Sequence, residues 1–298
     1  MHSEKKAENI ACYLMILPML IGFFVFTIYP ICWIARYSVY DYDGVNAIYT
    51  GLANFKRILT NEQGYWKSIV NAVIISYGKL LLEIPLALVT AVLLGKRRKI
   101  NDLYRGIFYM PAIIGVSVSA VVFTKMFATS GGIVNDLLKQ LGFINEPINW
   151  FGQKWTAMAV IMLMSVWQNF GINMLFFMAG VQGISKDYYE AAEIDGATKP
   201  KQFFKITLPL LMPVTRTIIL LAITSGIKLL DPVMLLTNGG PGGTTNVVML
   251  YMYGYFFETN TTSPQIGFAS SLGIVTSVII CILSVIYMKL SAKSEKIA

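Results

Sequence analysis

Six stretches of this chain are apolar over the length of a membrane-crossing helix, and that decides the solvent in which it folds. They lie near 11–35, 69–95, 106–127, 155–182, 214–236 and 266–288. Crossing ~30 Å of hydrocarbon takes about 20 apolar residues as a helix, because lipid offers the backbone no hydrogen-bond partner. Charged residues make up 13% of the chain, against about 25% in an ordinary soluble domain. The expectation is an all-α, polytopic membrane protein with six transmembrane helices, forming one domain over residues 1–298. The uncharged run 10–35 exceeds a signal h-region of about 7–15 residues, and no small-x-small pattern closes it. It reads as a retained first helix.

The net charge is +8, which in a soluble protein would raise nucleic acid as a partner. Here the basic residues sit at the ends of apolar runs, so topology explains them and no nucleic acid is implied. One face collects Lys5, Lys6, Lys96, Arg97, Arg98, Lys99, Arg105, the basic residues of the 186–216 connection, Lys289, Lys293 and Lys296. The other carries Arg36, Lys56, Arg57, Lys67, Lys125, Lys139 and Lys154. Cytoplasmic loops carry the excess of lysine and arginine, so both termini are expected in the cytoplasm of a multi-pass cell-membrane protein. Trp33, Trp66, Trp150 and Trp155 fall near the expected outer boundary, as an aromatic belt would.

Metal and histidine chemistry find little here. Cys12, Cys32 and Cys281 lack metal-ligand spacing and read as small hydrophobes, and His2 is the one histidine. The outer connection 36–68 holds the turn-rich Asp41-Tyr42-Asp43-Gly44. Residues 128–154 carry a short amphipathic pattern through Ile133, Val134, Leu137, Leu138 and Leu141. Residues 237–265 open on Asn238-Gly239-Gly240-Pro241-Gly242-Gly243, a strong helix stop. The aromatic stretch 251–257 is too short to cross again, so it is placed in the interface or against the bundle.

The connection between the fourth and fifth stretches is far longer than a minimal helix–helix link of about 2–8 residues. It reads Lys186-Asp187-Tyr188-Tyr189-Glu190-Ala191-Ala192-Glu193-Ile194-Asp195-Gly196-Ala197-Thr198-Lys199-Pro200 and continues to Pro209. Its chemistry predicts two short helices. Ser185 or Asp187 caps the first, with Glu190 near its N-terminal turn. Gly196 ends it, since glycine takes the left-handed cap without a Cβ clash. Pro200 opens the second in its first turn, and Pro209 breaks it before the fifth stretch. Phe203, Phe204 and Ile206 supply an apolar patch. Composition alone leaves a membrane-surface loop open as an alternative to a docking element.

The pattern Glu-Ala-Ala, three residues, Gly, nine residues, Ile-x-Leu-Pro resembles the signature of ABC importer permeases. Glu190, Ala191, Ala192, Gly196, Ile206, Leu208 and Pro209 match each of its positions. Leu17-Pro18, Gly22, Tyr29-Pro30, Gly51-Leu52-x-Asn54-Phe55, Arg105 with Tyr109-x-Pro111, and Asp231-Pro232 before Leu236-Thr237-Asn238-Gly239-Gly240-Pro241 are similar to the carbohydrate branch, which includes maltose and glycerol-phosphate importers. An aromatic residue often precedes that aspartate; Leu230 stands there instead.

The resemblance implies that hairpin 186–212 is a cytoplasmic coupling element seated in an ATPase subunit through Glu190, Ala191, Ala192, Asp195 and Gly196. It implies a second permease subunit, two ATPase subunits, an extracellular solute-binding protein, membrane lipid and a sugar substrate. ATP and magnesium would sit in the partner ATPases, with no cofactor and no enzyme activity in this chain. A Gly-x-x-x-x-Gly-Lys-Ser/Thr phosphate loop is absent from the sequence. The alternatives are a permease of the same type for a non-sugar solute, or a secondary transporter, which would be expected to show inverted repeats with broken helices.

For the solute path, the fourth stretch offers Trp167, Gln168, Asn169 and Asn173. Asn169 and Asn173 are four apart and share a helix face. Planar amides and an aromatic ring suit a sugar, while amides also bond membrane helices to one another. Lys79 and Glu83, four apart in the second stretch, are expected to pair. Lys228 and Asp231, three apart, are placed as a gate contact or a boundary pair.

Overall fold

The computed structural model describes residues 2–95, 99–257 and 263–295. Of the residues used for orientation, Lys96, Arg97, Arg98 and Lys296 lie outside the described residues, as do the side chains of Lys5, Lys6, Lys99 and Lys293. The side chains of His2 and Cys12 fall outside them too.

Four helices are long and apolar enough to cross a membrane: α1 (Tyr13–Tyr37), α3 (Gln63–Leu94), α7 (Lys154–Gln182) and α13 (Ile266–Ser291). Between them run α2 (Ala53–Thr60), the broken pair α4 (Ile100–Ile113) and α5 (Val116–Met126), and α6 (Ile133–Gln140). After α7 come α8 (Lys186–Ile194), the pair α9 (Lys199–Leu210) and α10 (Met212–Ile227), α11 (Asp231–Leu236) and α12 (Val248–Phe256). The two pairs are bent by 95° and 64°, and counting each as one span brings the total to the expected six.

The third and fifth spans therefore differ from the continuous helices read off the sequence. In the third, Pro111 removes a backbone donor near the end of α4, and Gly115 takes extended backbone (ψ 140°) before α5. The fifth stretch, 214–236, was expected to run through; α10 stops at Ile227 and α11 begins at Asp231. In a continuous helix the Pro232 ring would meet the carbonyl four residues back, at Lys228, so the proline is accommodated only in the first turn of a new helix. Pro213 has the same place in α10 and accounts for the bend after α9.

The chain divides into two compact units, residues 1–63 with 252–279 and residues 64–251 with 280–298. In the first, strands β1 (Tyr40–Tyr42) and β2 (Ala47–Tyr49) form an antiparallel hairpin with Tyr40 opposite Tyr49. Its turn is the expected polar one. Asp43 Oδ1 accepts from the amides of Val45 (2.8 Å) and Asn46 (2.7 Å), and these donors hold the carboxyl below the usual carboxylate range. Asn54, in the Gly-Leu-x-Asn-Phe motif, donates to the carbonyls of Ser38 (3.0 Å) and Tyr40 (2.9 Å), which ties α2 to the hairpin. Arg57 lies 3.9 Å from the Phe268 ring centre and bonds Gln265 (2.8 Å) and Glu62 (2.7 Å). Gly267 admits the hairpin, because a Cβ there would run into the Tyr40 carbonyl.

In the second unit α4 packs across α7 where Gly171 lets the Phe108 carbonyl approach the helix backbone; a Cβ would occupy that space. Gly226 on α10 does the same for Ser76 on α3. Ile84, Ala87, Ala91, Met174, Phe177, Met178, Leu211 and Ile218 form the apolar core between α3, α7 and the α9–α10 bend. Outward faces are apolar as well: Leu81, Leu93 and Ile113 are 70% or more exposed. A soluble protein could not tolerate that surface, whereas lipid accepts it.

Candidate functional site

Two features of the second unit are candidate sites, a cavity lined by polar side chains and the hairpin of α8 and α9. The cavity has a volume of about 360 Å³ and is lined by α3, α7 and α10. Lys79 and Glu83 enter from α3, nearly fully buried. Their spacing puts them one helical turn apart, and Lys79 Nζ lies 3.4 Å from Glu83 Oε2. The Asn173 amide on α7 donates to Glu83 Oε1, so the pair reaches across two helices. Asn169 lines the same wall and donates to the Ser165 carbonyl (2.8 Å). Phe176 adds an aromatic face, and α10 contributes Thr224, Ser225 and Lys228.

The four path candidates on α7 separate into two sets. Asn169 and Asn173 line the cavity; Trp167 and Gln168 are not among its lining residues. Gln168 is buried and donates to Ser119 Oγ on α5 (3.1 Å), while the Trp167 ring lies 5.6 Å from that of Phe123. A helix turns 100° per residue, so adjacent residues face different neighbours.

The Lys79–Glu83 pair forms as its spacing predicts. The Lys228–Asp231 pair does not. Helical i,i+3 spacing brings side chains together only inside a helix, and here α10 ends between the two residues. No ion pair or side-chain hydrogen bond holds Lys228 among the described residues.

The hairpin follows its sequence signals closely. Ser185 Oγ accepts from the Asp187 amide (3.3 Å) and caps α8. Gly196 adopts φ +72° immediately past its end. The Ala197 amide donates back to the Ala192 carbonyl (2.8 Å), the bond of a left-handed C-terminal cap. Pro200 stands in the first turn of α9. α9 extends to Leu210, so the break falls just after Pro209. Glu190, Ala191, Asp195 and Gly196 are exposed and Ala192 is half-buried. Ile194 is 88% exposed and Phe204 62% exposed, apolar surface interspersed with charged residues.

Sequence reasoning missed two buried asparagines. Asn71 on α3 donates to the carbonyls of Thr244 (2.9 Å) and Asn246 (2.8 Å) and holds the glycine-rich connection after α11. Asn135 on α6 donates to the Ile148 carbonyl (3.0 Å) and accepts from Trp150 Nε1 (3.1 Å). A lone amide within an apolar segment was the signal available for Asn71, and Asn135 lies in the short amphipathic pattern.

Membrane-spanning helices around a polar cavity, with a capped polar hairpin between the fourth and fifth spans, define a multi-pass membrane transport protein. The chain belongs to the family of binding-protein-dependent transport system inner membrane components, whose family model matches residues 83–296. It is a permease of the ABC importer type and not an enzyme.

Among its relatives, the probable ABC transporter permease protein YesP of Bacillus subtilis (strain 168) is 34% identical, covering 96% of this chain and 92% of that one. The trehalose/maltose transport system permease protein MalF of Thermococcus litoralis is 33% identical over 93% of this chain and 92% of its own length. AraP of Bacillus subtilis, an arabinooligosaccharides transport system permease protein, is 31% identical over 97% and 90%. A chain from the crystal structure of a bacterial ABC transporter that imports the acidic polysaccharide alginate superposes with a TM-score of 0.82. It covers 97% of this chain and 98% of that one at 20% identity, a likeness of fold.

Proposed function

We propose that this chain is one of two different permease subunits of an ATP-driven, binding-protein-dependent importer for a sugar or oligosaccharide. All 298 residues act as one permease domain. The observation that carries the reading is the exposed hairpin, with Glu190, Ala191, Ala192, Asp195 and Gly196 on a capped helix that offers apolar and acidic surface to a partner. That partner is an ATPase subunit. Two of them bind ATP and magnesium and move this hairpin, residues 186–212, and its counterpart in the second permease. The excess of lysine and arginine on their side supports a cytoplasmic hairpin and cytoplasmic termini, with the binding protein delivering solute from the opposite side.

Several facts support this assembly. Tyr13–Tyr37 buries none of its apolar window in its own chain, and exposed Ser225, Phe176 and Lys228 leave the cavity wall to be completed by a second subunit. MalF and AraP are named for sugar transport and match nearly end to end. Asn169 and Asn173 belong to the sugar path, while Trp167 and Gln168 support their helix from behind.

The test is uptake by proteoliposomes holding the permease pair and ATPases, with the binding protein outside. Oligosaccharide accumulation should require enclosed ATP and the binding protein. Accumulation driven by an ion gradient without ATP would replace this reading with a secondary transporter.

A further inference from the structure

We infer that the solute held in the α3–α7–α10 cavity is an anionic sugar, carrying a carboxylate or a phosphate ester, and that Lys228 takes its charge. This rests on the reading of the cavity as part of a sugar path.

The charge of the cavity wall is unbalanced. Three titratable groups line it: Lys79, Glu83 and Lys228. Lys79 and Glu83 lie 3.4 Å apart and neutralise one another, and the Asn173 amide occupies the remaining Glu83 oxygen. Lys228 is left as a surplus positive charge. Charges within a membrane bundle are costly, are usually paired, and otherwise mark the route of an ion or a charged solute.

Lys228 has no structural assignment that would account for it. Its nearest acid in sequence, Asp231, starts a new helix and does not pair with it. Its backbone ends α10, with the Lys228 amide donating to the Thr224 carbonyl (3.4 Å). A helix C-terminus favours a cation but supplies only about half an elementary charge. The side chain is exposed and its ammonium group keeps three donors for a ligand.

The rest of the wall suits the rest of a sugar. Asn169 and Asn173 present amides, and Phe176 presents an aromatic ring. Thr224 and Ser225 donate their hydroxyl protons to their own helix, at 3.0 Å to Leu220 and 3.1 Å to Ala222, which leaves their oxygens as acceptors for sugar hydroxyls. A neutral sugar could accept a hydrogen bond from Lys228 through a hydroxyl, but only an anionic one neutralises the surplus charge.

The test uses proteoliposomes carrying the complete importer and its binding protein, with three probes: a galacturonate disaccharide, the matching neutral galactose disaccharide, and galactose phosphate. The expected result is uptake of at least one charged probe with kcat/KM about tenfold or more above the neutral disaccharide, the order expected for a hydrogen bond to a charged group. Which charged probe is favoured distinguishes carboxylate from phosphate. Lys228→Gln should abolish that preference through a raised KM, and Lys228→Arg should retain it.

Equal or better uptake of the neutral disaccharide overturns the inference and leaves the sugar reading intact. So does a preference for charge that survives Lys228→Gln, since another group would then take the charge. ATP-driven uptake of a non-sugar solute, with all three probes refused, overturns both.

Discussion

Tyr189 and Thr207 join the two arms of the 186–212 hairpin by a 2.8 Å hydrogen bond between their hydroxyl groups. They stand 18 residues apart, one on α8 and the other in α9, and Thr207 is buried. A second tie, between Lys199 and Glu193, is exposed on both sides and contributes little. The part-buried hydroxyl pair is therefore the stronger of these two ties between the arms. Tyr189→Phe removes about 0.5–1.5 kcal/mol of stabilisation while keeping the ring. ATPase stimulation by loaded binding protein should fall a fewfold, with the ATPase subunits still copurifying. Unchanged stimulation would show that the arms are held by something else.

Gly196 tests the hairpin from its tip. Its φ of +72° costs a β-branched residue about 1–2 kcal/mol, and no atom lies within 4 Å of a built Cβ, so backbone strain is the whole penalty. Gly196→Val should weaken copurification of the ATPase subunits and uncouple hydrolysis from uptake. Gly196→Asn, which tolerates the left-handed region, should do so much less. Equal behaviour of the two variants would place the tip outside the contact.

The buried pair on α3 makes an asymmetric prediction. Lys79→Met leaves Glu83 uncompensated at under 2% exposure, and removing one partner of such a pair costs roughly 3–5 kcal/mol. The purified permease pair should lose thermal stability strongly in Lys79→Met and in Glu83→Leu alone. The double variant should recover most of the loss, because it buries no charge. If the double variant is no better than the singles, the two residues are not coupled.

The spans and the hairpin were legible because each is written locally: apolar length for the spans, and a serine cap, Gly196 and Pro200 for the hairpin. The broken third and fifth spans were less so. Hydropathy counts residues and ignores direction, so Ile113 and Val116 read as one run although the chain turns by 95° between them. Pro232 was the visible warning for the fifth span. Treating Lys228 and Asp231 as helical neighbours overlooked it. The clamps made by Asn71 and Asn135 were not legible. An asparagine in an apolar run does not reveal which carbonyls, 173 residues away in one case, it will meet.

Asn169 and Asn173 share a helix face and one cavity, yet their bonding predicts different failures. Asn173 donates to Glu83, so Asn173→Leu removes a charge-assisted bond from a buried carboxylate, worth about 1.5–3 kcal/mol. That variant should lose both thermal stability and uptake. Asn169 donates to the carbonyl of Ser165 on its own helix, a bond that leucine gives up at little cost because that carbonyl already belongs to the helix ladder. Asn169→Leu should therefore keep the stability of the complex and its ATPase subunits while raising the KM for uptake severalfold. The comparison separates a path residue from a packing residue without relying on the sugar's identity. Normal uptake kinetics in a stable Asn169→Leu complex would remove this face of α7 from the path, and the cavity would then have to be assigned to packing alone.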